Sequence, residues 1–271
     1  MPENVAEKNG IYFIARERND LEQAFSLVYR EYASRGYVPK GYKSSMRLSL
    51  YNALPSTTTF INKQKEEVVA TVTLIPDSEM GIPMDKIYKD EVDTLRKKGR
   101  RVAEVSQLSI DNKLFPKGWY SMFNFMKLIF IFALFKLVFD YARNVEKLDE
   151  LCIAVNPKHQ YLYKFLFFEE LGSLKHYGSV NKAPALAFHL TINNALEERI
   201  SAKRKAVYKI FYGKDTDPRI FKEKFKMEPG DLEYFFLQKS DLLKKANERE
   251  LECIKKCYPP GFVEEILGRY E

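Results

Sequence analysis

Cysteine and histidine are scarce in this 271-residue chain, which contains three of each. Three cysteines are too few and too scattered for a disulfide framework. Cys253 and Cys257 would share one face of a helix, but no second pair of cysteines or histidines accompanies them. The pattern therefore favours free thiols in a reducing compartment over a zinc site, and we expect no bound metal.

Long uncharged apolar runs are also missing. The most apolar stretch, residues 119–142, has its longest run at 128–135, where Lys127 and Lys136 bound the segment LIFIFALF. A helix that spans a bilayer needs about 18 or more apolar residues, so this stretch predicts a buried helix and no transmembrane span. The polar N-terminal segment MPENVAEKNG lacks the apolar centre of a signal peptide. We therefore expect a soluble, cytoplasmic protein.

The sequence has no recognisable helix-turn-helix, zinc-finger or RNP motif, although its net charge is +7. Positive charge alone indicates an acidic partner, such as an anionic membrane or a small acidic protein. We therefore expect no nucleic-acid partner.

The hydrophobic patterns predict a mixed α/β sheet. Strands are expected at 11–15, 57–62, 68–75, 102–110, 151–155, 173–180 and 185–191, and helices at about 20–34, 119–142 and 157–170. Asp20 is expected to cap the first helix and Gly36 to end it. The charged turn KQKEE predicts a hairpin of the second and third strands. The strand–helix–strand order in the centre predicts a parallel pair with a right-handed crossover.

A first family motif follows the short buried strand at 151–155. In NPKHQYLYKFLFF, Asn156 is followed seven residues later by Tyr163. This spacing resembles the exit of the penultimate strand and the next helix in GNAT acyltransferases, where Gly-Phe follows the tyrosine. Phe167 and Phe168 stand in the place of that Gly-Phe.

A second motif is the segment 82–111, which ends in the strand VAEVSQLSI. It resembles the N-acyl amino acid synthases, relatives of the acyl-homoserine lactone synthases, whose active-site strand reads E-V/I-S-x-L/F. The lactone synthases usually have arginines where this chain has Gln107 and Thr73, and an Asp pair where GYKSSMR stands. The N-acyl amino acid synthase branch therefore fits better than lactone synthesis.

The resemblance covers about residues 11–191 and implies a GNAT-like fold. That fold is a mixed, mostly antiparallel α/β sheet with a splayed central parallel pair and helices on both faces. We expect a GNAT-like acyltransferase domain over 1–194 and a helical C-terminal extension over 195–271. The loop DNKLFPKGWYS lacks the glycine-rich signature that binds the pyrophosphate of coenzyme A. The family then implies an acyl carrier protein as donor, its acyl-phosphopantetheine thioester as co-substrate, an amino acid as acceptor, and no permanently bound cofactor.

Glu104 is the single carboxylate of its strand, among apolar and small polar residues. Burial there would raise its pKa and suit it to act as a base. A structural ion pair with Arg30 or Arg101 is the alternative, and the resemblance favours the base, with Ser106 beside it. Tyr163 would protonate the leaving thiolate, or would pack as an aromatic against the sheet.

The resemblance also places the donor on the same strand, where backbone N–H groups would hold the thioester carbonyl oxygen. A helix rich in phenylalanine would line an acyl tunnel with one face, which favours medium or long chains. The residues expected to bind the acyl-pantetheine arm are Arg30, Gln107, Leu108, Ser109, Lys117, Gly118, Phe123 and Asn156.

The basic run RKKGRR immediately precedes the strand of Glu104. It is a candidate dock for an acidic carrier protein, since such patches raise association rates, and the alternative is an ordinary solvated face. Its cations are Arg96, Lys97, Lys98, Arg100 and Arg101.

Two other functions remain open from sequence. One is a GNAT acyltransferase that uses acyl coenzyme A on a different amine. The other is a catalytically silent acyl-binding module. Assembly as a homodimer is also left open, because no feature of the sequence decides it.

Overall fold

In the computed structural model, seven strands form one sheet, and residues 11–38, 44–114, 120–178, 181–192 and 202–270 are described. The strands are β1 (Ile11–Ile14), β2 (Thr58–Gln64), β3 (Glu67–Pro76), β4 (Val102–Ile110), β5 (Glu150–Val155), β6 (Glu169–Tyr177) and β7 (Ala183–Thr191). The helices are α1 (Arg18–Ser34), α2 (Asp85–Arg96), α3 (Tyr120–Asn144), α4 (Gln160–Phe165), α5 (Ala202–Tyr212), α6 (Pro229–Glu233), α7 (Glu248–Lys255) and α8 (Phe262–Gly268).

The strand order across the sheet is β1-β2-β3-β4-β5-β7-β6. β4 and β5 run parallel, and the other neighbouring pairs are antiparallel. The predicted mixed sheet with one central parallel pair is therefore confirmed. The predicted β2–β3 hairpin also forms, but its turn is shorter than expected. Gln64 already pairs with Glu67, and Lys65 takes a left-handed conformation with φ 46° to close the turn.

The parallel pair separates after a short contact. β4 and β5 pair only from Val102 to Glu104, although β4 continues to Ile110. A bulge follows in β4, where Gln107 has φ 55° and the register with β3 shifts between Thr71 and Thr73. A bulge bends and twists its strand, so β4 diverges from β5 and a gap opens toward the carboxyl ends of both strands.

Helices cover both faces of the sheet. Alternation along β2 sends Phe60 into the core under α3 and its neighbour Ile61 into a second core under α1. A third cluster packs α2 on the same face as α1, against β4, β5 and β7. None of the helices in the described ranges combines the length and the apolar character needed to cross a bilayer.

The segment 202–270 is helical and is divided between two cores. Tyr208 and Tyr212 of α5 are buried in the first core under α3, whereas the residues from Leu232 to Ile266 belong to the second. Phe235 is fully buried and its ring meets Phe25 of α1 edge to face, with 5.7 Å between centroids. The phenol of Tyr258 donates to the carbonyl of Ala53 at 2.7 Å. The C-terminal segment thus shares its apolar interior with α1 and the loop before β2.

The ends of α1 differ in part from the prediction. α1 begins at Arg18 with Glu17 in the cap position, so Asp20 lies inside the first turn. The carboxylate of Asp20 accepts the backbone N–H of Arg16 at 3.0 Å and pairs with Lys63 at 3.1 Å. Asp20 therefore bonds to the chain before the helix and to β2 instead of serving as the cap residue. Gly36, with φ 72°, follows the helix end as predicted.

The helix after β5 is shorter than the predicted 157–170. α4 ends at Phe165, and Phe167 takes φ 71°. This left-handed residue turns the chain so that β6 starts at Glu169 rather than at 173. Phe167 occupies the position where the family motif has glycine, the residue that adopts such a conformation at least cost.

Candidate active site

Glu104 lies on the sheet face covered by α1 and α2, and 4% of its surface is exposed. Its Oε2 accepts the backbone N–H of Met84 at 2.6 Å. Burial raises the pKa of this carboxyl to about 8, with the N–H of Met84 and the hydroxyl of Ser106 opposing and the charge of Asp85 adding to the rise. A carboxyl with such a pKa can exchange protons near neutral pH.

The ion pairs considered as an alternative for Glu104 do not form. Arg30 reaches from α1 to Asp111 at 2.8 Å, just beyond β4. Arg101 pairs with Asp149 at 3.3 Å. Glu104 therefore forms no ion pair with these arginines, and among the described residues Lys86 is the cation whose charge acts on it.

Three phenols interact electrostatically with the carboxyl, and sequence reasoning missed them. Burial raises the pKa of Tyr32, Tyr51 and Tyr177, and the charge of Glu104 raises each of them further. Tyr177 donates to the carbonyl of Pro83 at 2.6 Å. No spacing signal distinguishes these residues among the 17 tyrosines of the chain.

The bulge of β4 is held by the loop before β2. Asn52 donates to the side-chain oxygen of Gln107 at 3.2 Å, and the Gln107 amide donates to the carbonyl of Arg47 at 3.1 Å. Beyond the bulge, Leu108 packs against the first core, while the buried hydroxyl of Ser109 has no hydrogen-bond partner among the described residues. Unpartnered buried hydroxyls are rare, so Ser109 stands out among the polar residues of β4.

Tyr163 lies on α4 and is buried in the first core. Its ring packs edge to face on Phe135 and Phe168, at 5.9 Å and 6.0 Å between centroids. Burial raises its pKa, and Tyr32 raises it further. Tyr32 thus interacts electrostatically with both Glu104 and Tyr163.

Asn156 lies where β5 ends. Its Oδ1 accepts the N–H of Lys158 at 3.2 Å, and its amide donates to the phenol of Tyr37 at 3.2 Å. The ring of Tyr37 meets Tyr32 edge to face at 6.0 Å. Asn156 therefore positions an aromatic pair at the open end of the gap.

The remaining predicted donor contacts are only partly visible. Lys117 and Gly118 lie outside the described residues, and so does the side chain of Phe123. Further along α3, Phe130 and Phe135 are buried in the first core, while Phe132 is half-buried and contacts Phe165 at 5.8 Å between centroids.

The basic run before β4 lies at the end where β4 and β5 are still paired, away from the opening of the gap. Lys97 and Lys98 are exposed, and Arg100 comes within 4.0 Å of Glu150. Arg96 pairs with Asp77, Asp85 and Asp93.

A different group of basic residues lies at the open end. Desolvation and the charge of Arg35 lower the pKa of Lys127. Desolvation and the charges of Lys158 and Arg35 likewise lower the pKa of His159. Arg35 thus acts on both Lys127 and His159, and we call Arg35, Lys127, Lys158 and His159 the open-end cluster.

The three cysteines are free thiols. In the described ranges, no group of His, Cys, Asp and Glu is arranged to hold a metal ion.

A sequence model described as N-acyl amino acid synthase FeeM matches residues 23–191. The chain belongs to this family. Among solved structures, FeeM, an N-acyl amino acid synthase from uncultured soil microbes, is 33% identical, covers 67% of this chain and 89% of its own, and has a TM-score of 0.57. The comparison with curated proteins finds no match.

Two acyl-homoserine lactone synthases share the fold of this N-acyl amino acid synthase family member. The AHL synthase LasI is 14% identical over 76% of this chain and 96% of its own, with a TM-score of 0.52. TofI is 10% identical over 69% of this chain and 94% of its own, also with a TM-score of 0.52. The resemblance drawn from the two motifs is confirmed, and the protein is an N-acyltransferase with a GNAT-like fold.

Proposed function

We propose that this N-acyltransferase moves a medium or long acyl chain from an acyl carrier protein thioester to the amine of an amino acid. The observation that carries the proposal is the buried carboxyl of Glu104, with its pKa near 8, beside the gap between the splayed strands. In a member of the N-acyl amino acid synthase family, such a carboxyl is placed to take the proton of an amine.

In this mechanism the acceptor amine loses a proton to Glu104, directly or through a water, and its nitrogen attacks the thioester carbonyl carbon. The backbone N–H groups at Gln107 and Leu108, which have no ladder partner in β3, stabilise the oxyanion. The C–S bond then breaks, and the phenol of Tyr163 donates its proton to the leaving thiolate. Proton return from Glu104 through solvent restores the phenol.

Arg47 supports an amino acid as the acceptor. The guanidinium of Arg47 lowers the pKa of Tyr32, whereas burial and the charge of Glu104 raise it. A cation and a carboxylate therefore both act on one phenol. An amino acid carries the complementary pair of groups, a carboxylate and an amine.

The open-end cluster supports a phosphopantetheine donor. Its cations Arg35, Lys127 and Lys158 lie where the gap between β4 and β5 opens, so they can pair with the phosphate of the arm. The apolar face of α3 then receives the acyl chain.

The experiment that tests the function is an assay of the purified protein with a long-chain acyl carrier protein and a pool of amino acids, read by mass spectrometry. One N-acyl amino acid as product is the expected result, and it names the acceptor. Turnover with acyl coenzyme A but not with the carrier would assign the donor to coenzyme A. Silence with both donors would indicate a binding module.

Tyr163→Phe is expected to lower kcat by about tenfold to a hundredfold with little change in KM, because the leaving thiolate loses its acid. The matched control is Tyr212→Phe, which removes a buried phenol that donates to the carbonyl of Leu166 in the same core. An unchanged rate in Tyr163→Phe would show that the ring only packs.

Lys158→Glu is expected to raise the KM for the acyl carrier protein about fivefold at low salt, with a smaller effect at high salt. The double variant Lys97→Glu/Lys98→Glu is the matched comparison, since it reverses exposed charges at the closed end of the gap. A larger effect from the double variant would place the carrier on the basic run instead.

A further inference from the structure

We propose that Arg96 is a positioning residue that clamps the loop between β3 and α2 and so fixes the hydrogen bond that Glu104 receives. The proposal rests on the function proposed for Glu104. It gives Arg96 a role different from that of the neighbouring cations of the basic run.

The guanidinium of Arg96 uses all five of its N–H donors. Nε and Nη2 donate to the carboxylate of Asp77 at 2.7 and 2.9 Å. Nη1 and Nη2 donate to the carboxylate of Asp85 at 3.1 and 2.7 Å. The remaining donor of Nη1 reaches Asp93 at 2.7 Å. Because every N–H of this planar guanidinium donates a hydrogen bond, the Arg96 side chain is held far more rigidly than an exposed cation.

Asp77 and Asp85, which each accept two hydrogen bonds from Arg96, lie at the two ends of one loop. Asp77 follows β3, where its N–H donates to the carbonyl of Val102 at 3.0 Å. Asp85 begins α2 and accepts the N–H of Ile82 at 3.0 Å. Arg96 therefore closes the loop from the end of one helix.

The backbone of the closed loop packs closely against the side chain of Asp85. Gly81 has φ 74°, and a Cβ built there would lie 2.1 Å from Oδ2 of Asp85. The loop thus passes against the carboxylate that Arg96 holds, which leaves its backbone little freedom.

The clamp acts on the reaction through the last residue of this loop. Met84 immediately precedes Asp85, and its N–H is the donor that reaches Oε2 of Glu104 at 2.6 Å. If Asp85 shifts, the direction of that N–H shifts with it. Arg96 also neutralises Asp85, whose charge otherwise disfavours an ionised Glu104.

Loss of either contribution of Arg96 would raise the pKa of Glu104. Without the guanidinium of Arg96, Glu104 loses the Met84 N–H, which favours its ionised form. It also faces the charge of Asp85 without the compensating charge of Arg96. The titratable groups that face Glu104 are Asp85 and Lys86 of α2, Tyr32 of α1, Tyr51 of the turn before β2, Tyr177 of β6 and Cys152 of β5. Lys86 is the cation among them; it follows Asp85 in α2, and its charge lowers the pKa of Glu104.

The test is the pH dependence of kcat in Arg96→Lys and Arg96→Gln. Lysine keeps the charge but has three donors and no planar fork, so we expect the midpoint of the profile to rise by about one pH unit. At pH 7 the rate should fall about tenfold, and at high pH it should return to within about twofold of wild type. Arg96→Gln loses the charge as well and should shift the midpoint further.

The matched control is Arg101→Lys, which weakens the Arg101–Asp149 pair close to β4 without touching the loop. Its midpoint should stay at the wild-type value. The acceptor amine titrates in the same way with every variant, so a difference between variants belongs to the protein.

Two results would overturn the proposal. A rate that falls by the same factor at every pH would make Arg96 merely structural. A higher KM for the carrier with an unmoved midpoint would return Arg96 to the docking surface. If wild type acylates nothing, the pH dependence of the unfolding free energy still reports the titration of Glu104, so the clamp can be tested apart from the proposed function.

Discussion

Glu104→Gln is expected to lower kcat by about a hundredfold to ten-thousandfold, because the amine loses the group that takes its proton. Glutamine keeps the shape of the side chain and retains an oxygen for the N–H of Met84. The fold should therefore persist, and donor binding should change little. The measurement is steady-state turnover by mass spectrometry, with folding followed by circular dichroism.

The same substitution should stabilise the protein at alkaline pH. Burial raises the pKa of Glu104 to about 8 in the folded state, so the folded protein holds a proton that the unfolded chain releases at lower pH. The stability contributed by this proton is complete below the usual carboxyl pKa and is lost as the pH rises toward 8, by about 1.4 kcal/mol per pH unit. Glutamine does not titrate. Relative to wild type, its stability should therefore increase between pH 5 and pH 8 by on the order of 3 kcal/mol.

Glu150→Gln is the matched control for this pH effect. Glu150 is a second buried carboxylate of the sheet, but it accepts hydrogen bonds from His189 and Thr191 and so has partners that Glu104 lacks. Its replacement should not reproduce the gain at pH 8. Wild-type turnover in Glu104→Gln would remove this carboxyl from the mechanism.

Phe235→Ala is expected to destabilise the whole protein by about 3–5 kcal/mol, because it opens a cavity in the second core. Phe235 is fully buried against Phe25 of α1, so the loss should affect the sheet and the C-terminal segment together. Denaturant unfolding followed by circular dichroism and by residual activity should give one shared transition.

Tyr161→Ala is the control for this experiment. Tyr161 is 78% exposed on α4, and its truncation should stay within about 0.5 kcal/mol of wild type. Separate transitions in Phe235→Ala, with the C-terminal segment lost first, would mean that residues 195–271 form an extension that folds apart from 1–194.

The fold could be predicted to the level of its sheet. Alternation and apolar runs marked each strand, and the spacing of Asn156 and Tyr163 pointed to the GNAT-like order. Element ends were less predictable because they depend on backbone conformations that residue type does not reveal. Phe167 and Gln107 both take positive φ angles, which a non-glycine residue adopts rarely and only where its surroundings require it.

The site was predictable where one residue stands out from its strand. Glu104 did so as a lone carboxylate, whereas Tyr32 and Tyr177 did not, because their proximity to it comes from tertiary packing. The five cations of the basic run look alike in sequence. The structure distinguishes Arg96 because Asp77 and Asp85, distant from it along the chain, converge on its guanidinium.

Under the proposed mechanism, the pKa near 8 at Glu104 would make the acylation rate depend on the ambient pH. At pH 7.4 only about one copy in five would hold the carboxylate in its basic form. A drop of about 0.3 pH units would then nearly halve the working population, with no effector bound and no change of shape. The rate of acylation would then respond to a change in the pH of the solution as fast as Glu104 exchanges its proton.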